Sequence, residues 1–173
     1  SANDFTLGEA IITLKSSKRV RGSVWTPSFI LMFGYSLLSN AGFFMTMPVL
    51  PRYAVESGMS LAEAGLLTGI FSIVAIFARP VAGMLTDRRN HKKLLLLFST
   101  LVSAVSFGYG FFRDVPYLYA CRILHGACYA ISSTVQISIT TQLLQKERMG
   151  EGMSLMSMSQ ILAMSIAPNL GLT

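Results

Sequence analysis

The chain has 173 residues and a net charge of +6, with 52% hydrophobic and only 13% charged residues. Soluble domains carry about 25% charged residues, so this composition cannot solvate a water-facing surface, and a lipid bilayer is the better solvent. Its lysines and arginines sit beside apolar stretches and are not interleaved with exposed aromatics, which argues against a nucleic-acid partner.

In chain order, residues 1–26 form a polar lead-in. Leu7, Ile11 and Leu14 have helical spacing, so the lead-in is either a short helix on the membrane surface or a partly ordered tail. Five stretches then approach or exceed the roughly 20 apolar residues that cross a bilayer. They lie near 27–50, 61–85, 94–112, 116–144 and 153–172, and predict an all-α polytopic membrane bundle over residues 27–173. The first stretch is too long for a signal-peptide core and has no small-residue cleavage site, so it is expected to be retained.

The first span carries a weakly polar face of Ser36, Ser39, Asn40, Phe43 and Met47. Ser60 with Glu63 makes a capping box ahead of the second span. The second and third spans read as more uniformly apolar. Between them lies a short basic hinge, Gly83-Met84-Leu85-Thr86-Asp87-Arg88-Arg89-Asn90-His91-Lys92-Lys93-Leu94. Pro116, just after Asp114, suits the first turn of the fourth span, where a missing N–H costs nothing.

The fourth span holds the strongest pattern. Arg122, His125, Tyr129, Ser133, Gln136 and Thr140 recur every three or four residues, within an arc of about 80° at 100° per residue. Ile123, Leu124, Ala127, Ile131 and Val135 lie opposite. Such a stripe is costly in hydrocarbon and should line a water-filled cavity or a polar seam. Arg122 is either a fixed positive charge for an anionic substrate group or a proton-carrying carboxylate, or an arginine snorkelling to the outer interface. His125 is either a proton relay or a satisfied packing residue. In the fifth span Ser154, Ser157, Ile161, Ser165 and Pro168 share one face. Ser159, Ala163 and Ala167 form a second, spaced by four for close helix approach.

Counting bases in short loops sets the orientation. Lys15, Lys18, Arg19 and Arg21 precede the first span, Arg88, Arg89, Lys92 and Lys93 follow the second, and Lys146 and Arg148 follow the fourth. The alternate loops carry Arg52 and Arg113, so the amino terminus and the hinge are expected in the cytoplasm. Cys121 and Cys128 are seven residues apart, about 10 Å along a helix and too far for a disulfide. No metal-ligand spacing is present, and no cofactor is implied.

The hinge resembles the loop between the second and third helices of major facilitator superfamily transporters, roughly Gly-x-Leu-Ala-Asp-Arg-x-Gly-Arg-Lys. Gly83, Leu85, Asp87, Arg88 and Lys92 match, Thr86 is a mild change, and Asn90 and His91 replace a glycine and an arginine. Arg122-Ile123-Leu124-His125-Gly126 is similar to that family's second pattern, an arginine followed closely by a Gln/His-Gly pair. The stretch Ala163–Leu172 resembles the antiporter pattern Gly-x-x-x-Gly-Pro-x-x-Gly-Gly. Pro168 and Gly171 match strictly, alanines 163 and 167 stand for glycines, and Leu172 for another.

The resemblance implies alternating access between two six-helix halves, with substrate near the midplane. It also implies that Asp87 caps a helix of the other half through its dipole, with Arg88 and Lys92 holding the cytoplasmic gate. By the residues alone Asp87 could instead form a local ion pair with Arg88 or Lys92, and the bases could serve topology only.

The expected function is secondary active transport in the cell (inner) membrane, as proton-coupled efflux of a small organic molecule. Asn40, Phe43, Arg122, His125, Tyr129, Gln136 and Ser165 would form the substrate and proton pathway. The expected partners are the bilayer, a small-molecule substrate, protons and the remaining transporter helices, because the five spans fall short of a half-transporter's six. The alternatives are an importer or uniporter of a small anionic solute with Arg122 as counter-charge, or a non-transporting structural membrane fragment. Catalysis would need a nucleophile with a base or paired carboxylates. No acid lies deep in any span, so an enzyme is not expected, and a proton-carrying carboxylate must come from elsewhere unless His125 replaces it.

Overall fold

The computed structural model of the chain describes residues 23–112 and 114–172. The helix considered for Leu7, Ile11 and Leu14 lies outside the described residues. Among those described, five α-helices and one 3-10 turn follow in sequence, with no strand.

Helix α1 (Pro27–Glu56) starts where Thr26 accepts the amide of Phe29 and Pro27 occupies the first turn. It continues six residues past Leu50, the end expected from hydropathy, through Pro48 and Pro51. Each proline removes one backbone bond, but the apolar face outlasts both, with Leu50 and Ala54 buried. Gly58, at φ 94°, makes the left-handed turn that other residues adopt only with strain.

Helix α2 (Leu61–Arg88) opens on the expected capping box. The Ser60 hydroxyl accepts from the Glu63 amide at 3.3 Å, and the Glu63 carboxylate accepts from the Ser60 amide at 2.8 Å. Helix α3 (His91–Gly108) is capped by Asn90, whose side-chain oxygen accepts from the amides of Lys92 and Lys93. The asparagine that departs from the family pattern thus fixes a helix start. Helix α3 ends before Phe112, because Gly108–Phe111 closes into a turn.

Helix α4 (Val115–Leu143) begins with Pro116 in its first turn, and Asp114 occupies the cap position without a side-chain bond. A 3-10 turn at Lys146–Arg148 leads to α5 (Met149–Leu172). Two of the helices, α1 and α2, are long and apolar enough on composition alone to cross a membrane. The bases at the start of α3, the polar stripe of α4 and the serines of α5 dilute the other three.

Helix α1 packs chiefly against α5, α2 chiefly against α4, and α3 along α4. Three small apolar clusters are strung along these seams. One joins Leu50, Ala54, Leu67 and Leu118, another Phe29, Met32 and Met156, and the third Ala82, Leu94, Ile131 and Val135. The outside is oily: Leu31, Leu38, Leu61, Phe77 and Phe107 are each at least 74% exposed. A water-soluble surface does not present such a belt.

Two glycines set the closest approaches. A Cβ on Gly126 would lie 2.9 Å from the Phe71 carbonyl oxygen of α2, and one on Gly171 would lie 2.8 Å from the Met45 carbonyl oxygen of α1. Gly126→Val should push α4 off α2 and cost about 1–3 kcal/mol, as overpacking does, seen as earlier thermal unfolding in detergent. Gly34→Ala, where a Cβ meets nothing within 4 Å, should leave the transition unchanged or raise it.

Candidate functional site

The α2–α4 contact at Gly126 brings four aromatic rings together with one arginine. Phe71 of α2 lies under the Arg122 guanidinium, whose carbon stands 4.5 Å from the ring centre. His125 meets Phe71 edge-on at 5.6 Å, and Tyr129 lies 5.7 Å from it. From α1, Phe43 stacks on Tyr129 at 4.7 Å and approaches Phe71 at 5.1 Å. The stripe of α4 therefore faces α1 and α2, and the opposite residues divide: Ile131 and Val135 are buried, while Ile123 and Leu124 are exposed.

Arg122 does not snorkel. Only 1% of it is exposed, and its Nε and Nη1 are buried without a hydrogen-bond partner. The cation–π contact with Phe71 offsets only part of the lost hydration, at about 2 kcal/mol when desolvated. His125 is equally buried, and its Nδ1 lies 3.1 Å from the hydroxyl of Tyr109, beyond the end of α3.

A polar thread ties α1 into this cluster. The Tyr129 hydroxyl donates to Asn40 Oδ1 at 3.3 Å, and Asn40 Nδ2 donates to the Ser36 carbonyl at 2.8 Å. The Ser36 and Ser159 hydroxyls are bonded at 2.8 Å, joining α1 to α5, and those of Tyr35 and Ser132 join α1 to α4 at the same distance. In hydrocarbon such bonds satisfy groups that water cannot reach, at roughly 0.6 kcal/mol net each.

Beside the cluster lies a cavity of about 790 Å³ between α1, α3 and α4. Phe43, His125 and Tyr129 line it, together with Tyr109 and the hydroxyls of Ser103 and Ser106 on α3. Gly171 of α5 closes one edge. Among the described residues no group of His, Cys, Asp and Glu is placed to hold a metal.

Asn40, Phe43, Arg122, His125 and Tyr129 are thus brought together. Gln136 is half-buried and seven residues beyond Tyr129, about 10 Å along the helix. Ser165 does not join them, since it is exposed and its hydroxyl donates to the Ile161 carbonyl of its own helix. The small face of α5 is the one turned inward, with Ser159, Ala163 and Ala167 buried against the bundle and Pro168 half-buried.

At the hinge Asp87, Arg88 and Lys92 are exposed, Gly83 is half-buried, and no ion pair joins Asp87 to Arg88 or Lys92. Tyr109, the serines of α3 and Arg79 of α2 were not singled out by the sequence pattern. The spacing of Ser99, Ser103 and Ser106 is helical and was the available signal.

The family model of the Major Facilitator Superfamily matches residues 24–173. The multidrug resistance protein MdtG of Proteus mirabilis is 30% identical over 156 residues, covering 87% of this chain and 39% of that protein. The bacillibactin exporter of Bacillus subtilis is 32% identical over 104 residues, covering 57% of this chain and 26% of the exporter. The quinolone resistance protein NorA of Staphylococcus aureus is 26% identical over 98 residues, covering 57% of this chain and 25% of NorA. The chain therefore spans well under half the length of these curated relatives.

The Tyr109–His125 bond makes a stability prediction. Tyr109→Phe strands a buried ring nitrogen and should cost about 1–3 kcal/mol, measured as a lower unfolding temperature in detergent. Tyr119→Phe, which removes an exposed bond to the Glu63 carbonyl, should have a smaller effect.

Proposed function

This chain belongs to the major facilitator superfamily, and we propose that it forms the amino-terminal portion of a secondary active transporter that expels a small organic molecule in exchange for protons. Members of the superfamily are transporters, not enzymes, and act within the membrane. The relatives named as a multidrug resistance protein, a bacillibactin exporter and a quinolone resistance protein support outward movement.

The observation that carries the reading is the buried guanidinium of Arg122 beside His125, with two nitrogens unpaired and no carboxylate in contact. A buried charge without a counter-ion costs several kcal/mol. Such a group persists where a partner arrives during a working cycle. In alternating access that partner is a carboxylate of the remaining helices or an anionic group of the cargo. His125, one turn further along α4 and on the cavity wall, is placed to exchange a proton with whatever enters.

The bases of the hinge and of the 3-10 turn support a cytoplasmic amino terminus. Asp87, in the last turn of α2, stands at the negative end of that helix dipole. A carboxylate is electrostatically misplaced there unless a positive partner outside the described residues compensates it. This supports Asp87 as a gate contact to the other half, with Arg88 and Lys92 beside it. The missing counter-ion of Arg122 also favours a second reading, an importer or uniporter of a small anionic solute with Arg122 as counter-charge.

Reconstituted full-length transporter should expel ethidium in response to an imposed pH gradient, and transport indifferent to the gradient would sink the coupling. Arg122→Ala should lower gradient-driven transport by about 5- to 150-fold, the range of a coupling free energy of ~1–3 kcal/mol, while leaving ethidium binding intact. Loss of binding of an anionic solute in that variant would instead favour the second reading. Asp87→Asn should slow transport without lowering the unfolding temperature.

A further inference from the structure

Arg79 takes no part in the contacts described so far. It lies within α2, one of the two helices apolar enough to cross a membrane. Arg88, the end of the helix, is nine residues away, about 13 Å at 1.5 Å per residue. The side chain is exposed and makes no ion pair among the described residues. An arginine at that depth is costly unless it finds water or an anion.

Water at the nearer end is not within easy reach. The Cα–Cβ bonds of a helix tilt toward its amino terminus, whereas the nearer end of α2 is its carboxyl end. The Cα–Cβ bond of Arg79 therefore points back toward Ala75 and away from that end.

The flank that carries Arg79 differs from the rest of α2. At 100° per residue Thr68, Ser72 and Arg79 fall within about 40° of one another. The exposed Leu66, Ile73, Phe77 and Met84 project about 120–160° from Arg79, whereas the exposed Ile76 lies about 60° from it. Next to the polar flank, a Cβ added at Gly65, Gly69 or Gly83 would meet nothing within 4 Å, so the flank is open. Among the described residues the acids Glu56, Glu63, Asp87, Asp114, Glu147 and Glu151 all stand at helix ends or in turns, so none can neutralise a charge at this depth.

We propose that Arg79 is an anion-binding position, a counter-charge within the membrane-spanning part of α2 for a carboxylate that enters along the open flank of that helix. The carboxylate belongs to a transported solute or to an aspartate or glutamate of a helix that packs on this flank. The proposal rests on the chain being part of a transporter, but not on the coupling ion.

The test uses the protein in lipid nanodiscs, with carboxyfluorescein as carboxylate probe and ethidium as cationic control, followed by fluorescence anisotropy and thermal unfolding. Arg79→Gln should weaken carboxyfluorescein binding by about tenfold or more, as loss of one partner of a desolvated charge pair does. Arg79→Lys should keep most of that binding, and ethidium should bind as before. This result assigns the carboxylate to the solute. If probe binding is unchanged while Arg79→Gln lowers the unfolding temperature and Arg79→Lys restores it, the carboxylate is the protein's own. The proposal is overturned if neither variant changes binding or stability, since the arginine then reaches water unaided. It is equally overturned if both variants lose both probes, which marks a structural arginine. None of these readings needs a pH gradient, so a failure of proton coupling would leave them unaffected.

Discussion

The contact on which this bundle depends is the approach of α4 to α2 at Gly126. Because no side chain intervenes, the Phe71 backbone sits against α4, and the Phe71 ring reaches beneath Arg122 while touching His125 and Tyr129. Phe43 can then close the cluster from α1. A larger residue at position 126 would separate the helices and expose the guanidinium and imidazole to lipid. Packing and electrostatics are therefore one problem at this point: a missing Cβ makes the burial of a charge possible.

In hydrocarbon a polar group keeps its place by finding a partner within the protein. Most of those on α1, α4 and α5 do so, either across helices, as in the Ser36–Ser159 and Tyr129–Asn40 bonds, or by folding back on their own helix, as Thr134 and Thr140 do. Against that background the unpaired nitrogens of Arg122 stand out. A bundle selected only for stability would pair or remove such a charge, since an apolar replacement of similar volume is often neutral or stabilising. Under the proposed transport cycle the site is one of two arrangements, with the counter-charge delivered in the other.

The sequence disclosed those features whose period is strong. The α4 stripe runs through Arg122, His125 and Tyr129, and a helical period places them together without reference to any neighbour. The capping box at Ser60 and Glu63 was legible because its partners are local. Tyr109 was not, because its importance lies in meeting His125 across an interhelical turn. Arg79 was missed because its neighbours are so apolar that α2 still reads as a lipid-facing span. For α5 the period offered two faces, one with Ser165 and one with Ser159, Ala163 and Ala167. Size decided between them: small residues let α1 approach, so the second face is buried and Ser165 remains outside.

The unpaired charges inside the spans share one sign. Arg122 borders the aromatic cluster through Phe71 and Arg79 lies two turns further along α2, while the described acids stand at the ends of helices or in turns. A bilayer interior screens such charges poorly, so the spans of this bundle carry a positive potential. Asp87 is the reverse case, a carboxylate at the negative end of a helix dipole. Charge within the spans and charge at the hinge are both misplaced for a bundle standing alone, and in opposite senses. A second body that brings acids to the spans and a helix amino terminus to the hinge would relieve both. If it did so in alternation, the relief at one point would come at the expense of the other, and the two sites would be coupled through the position of that body alone.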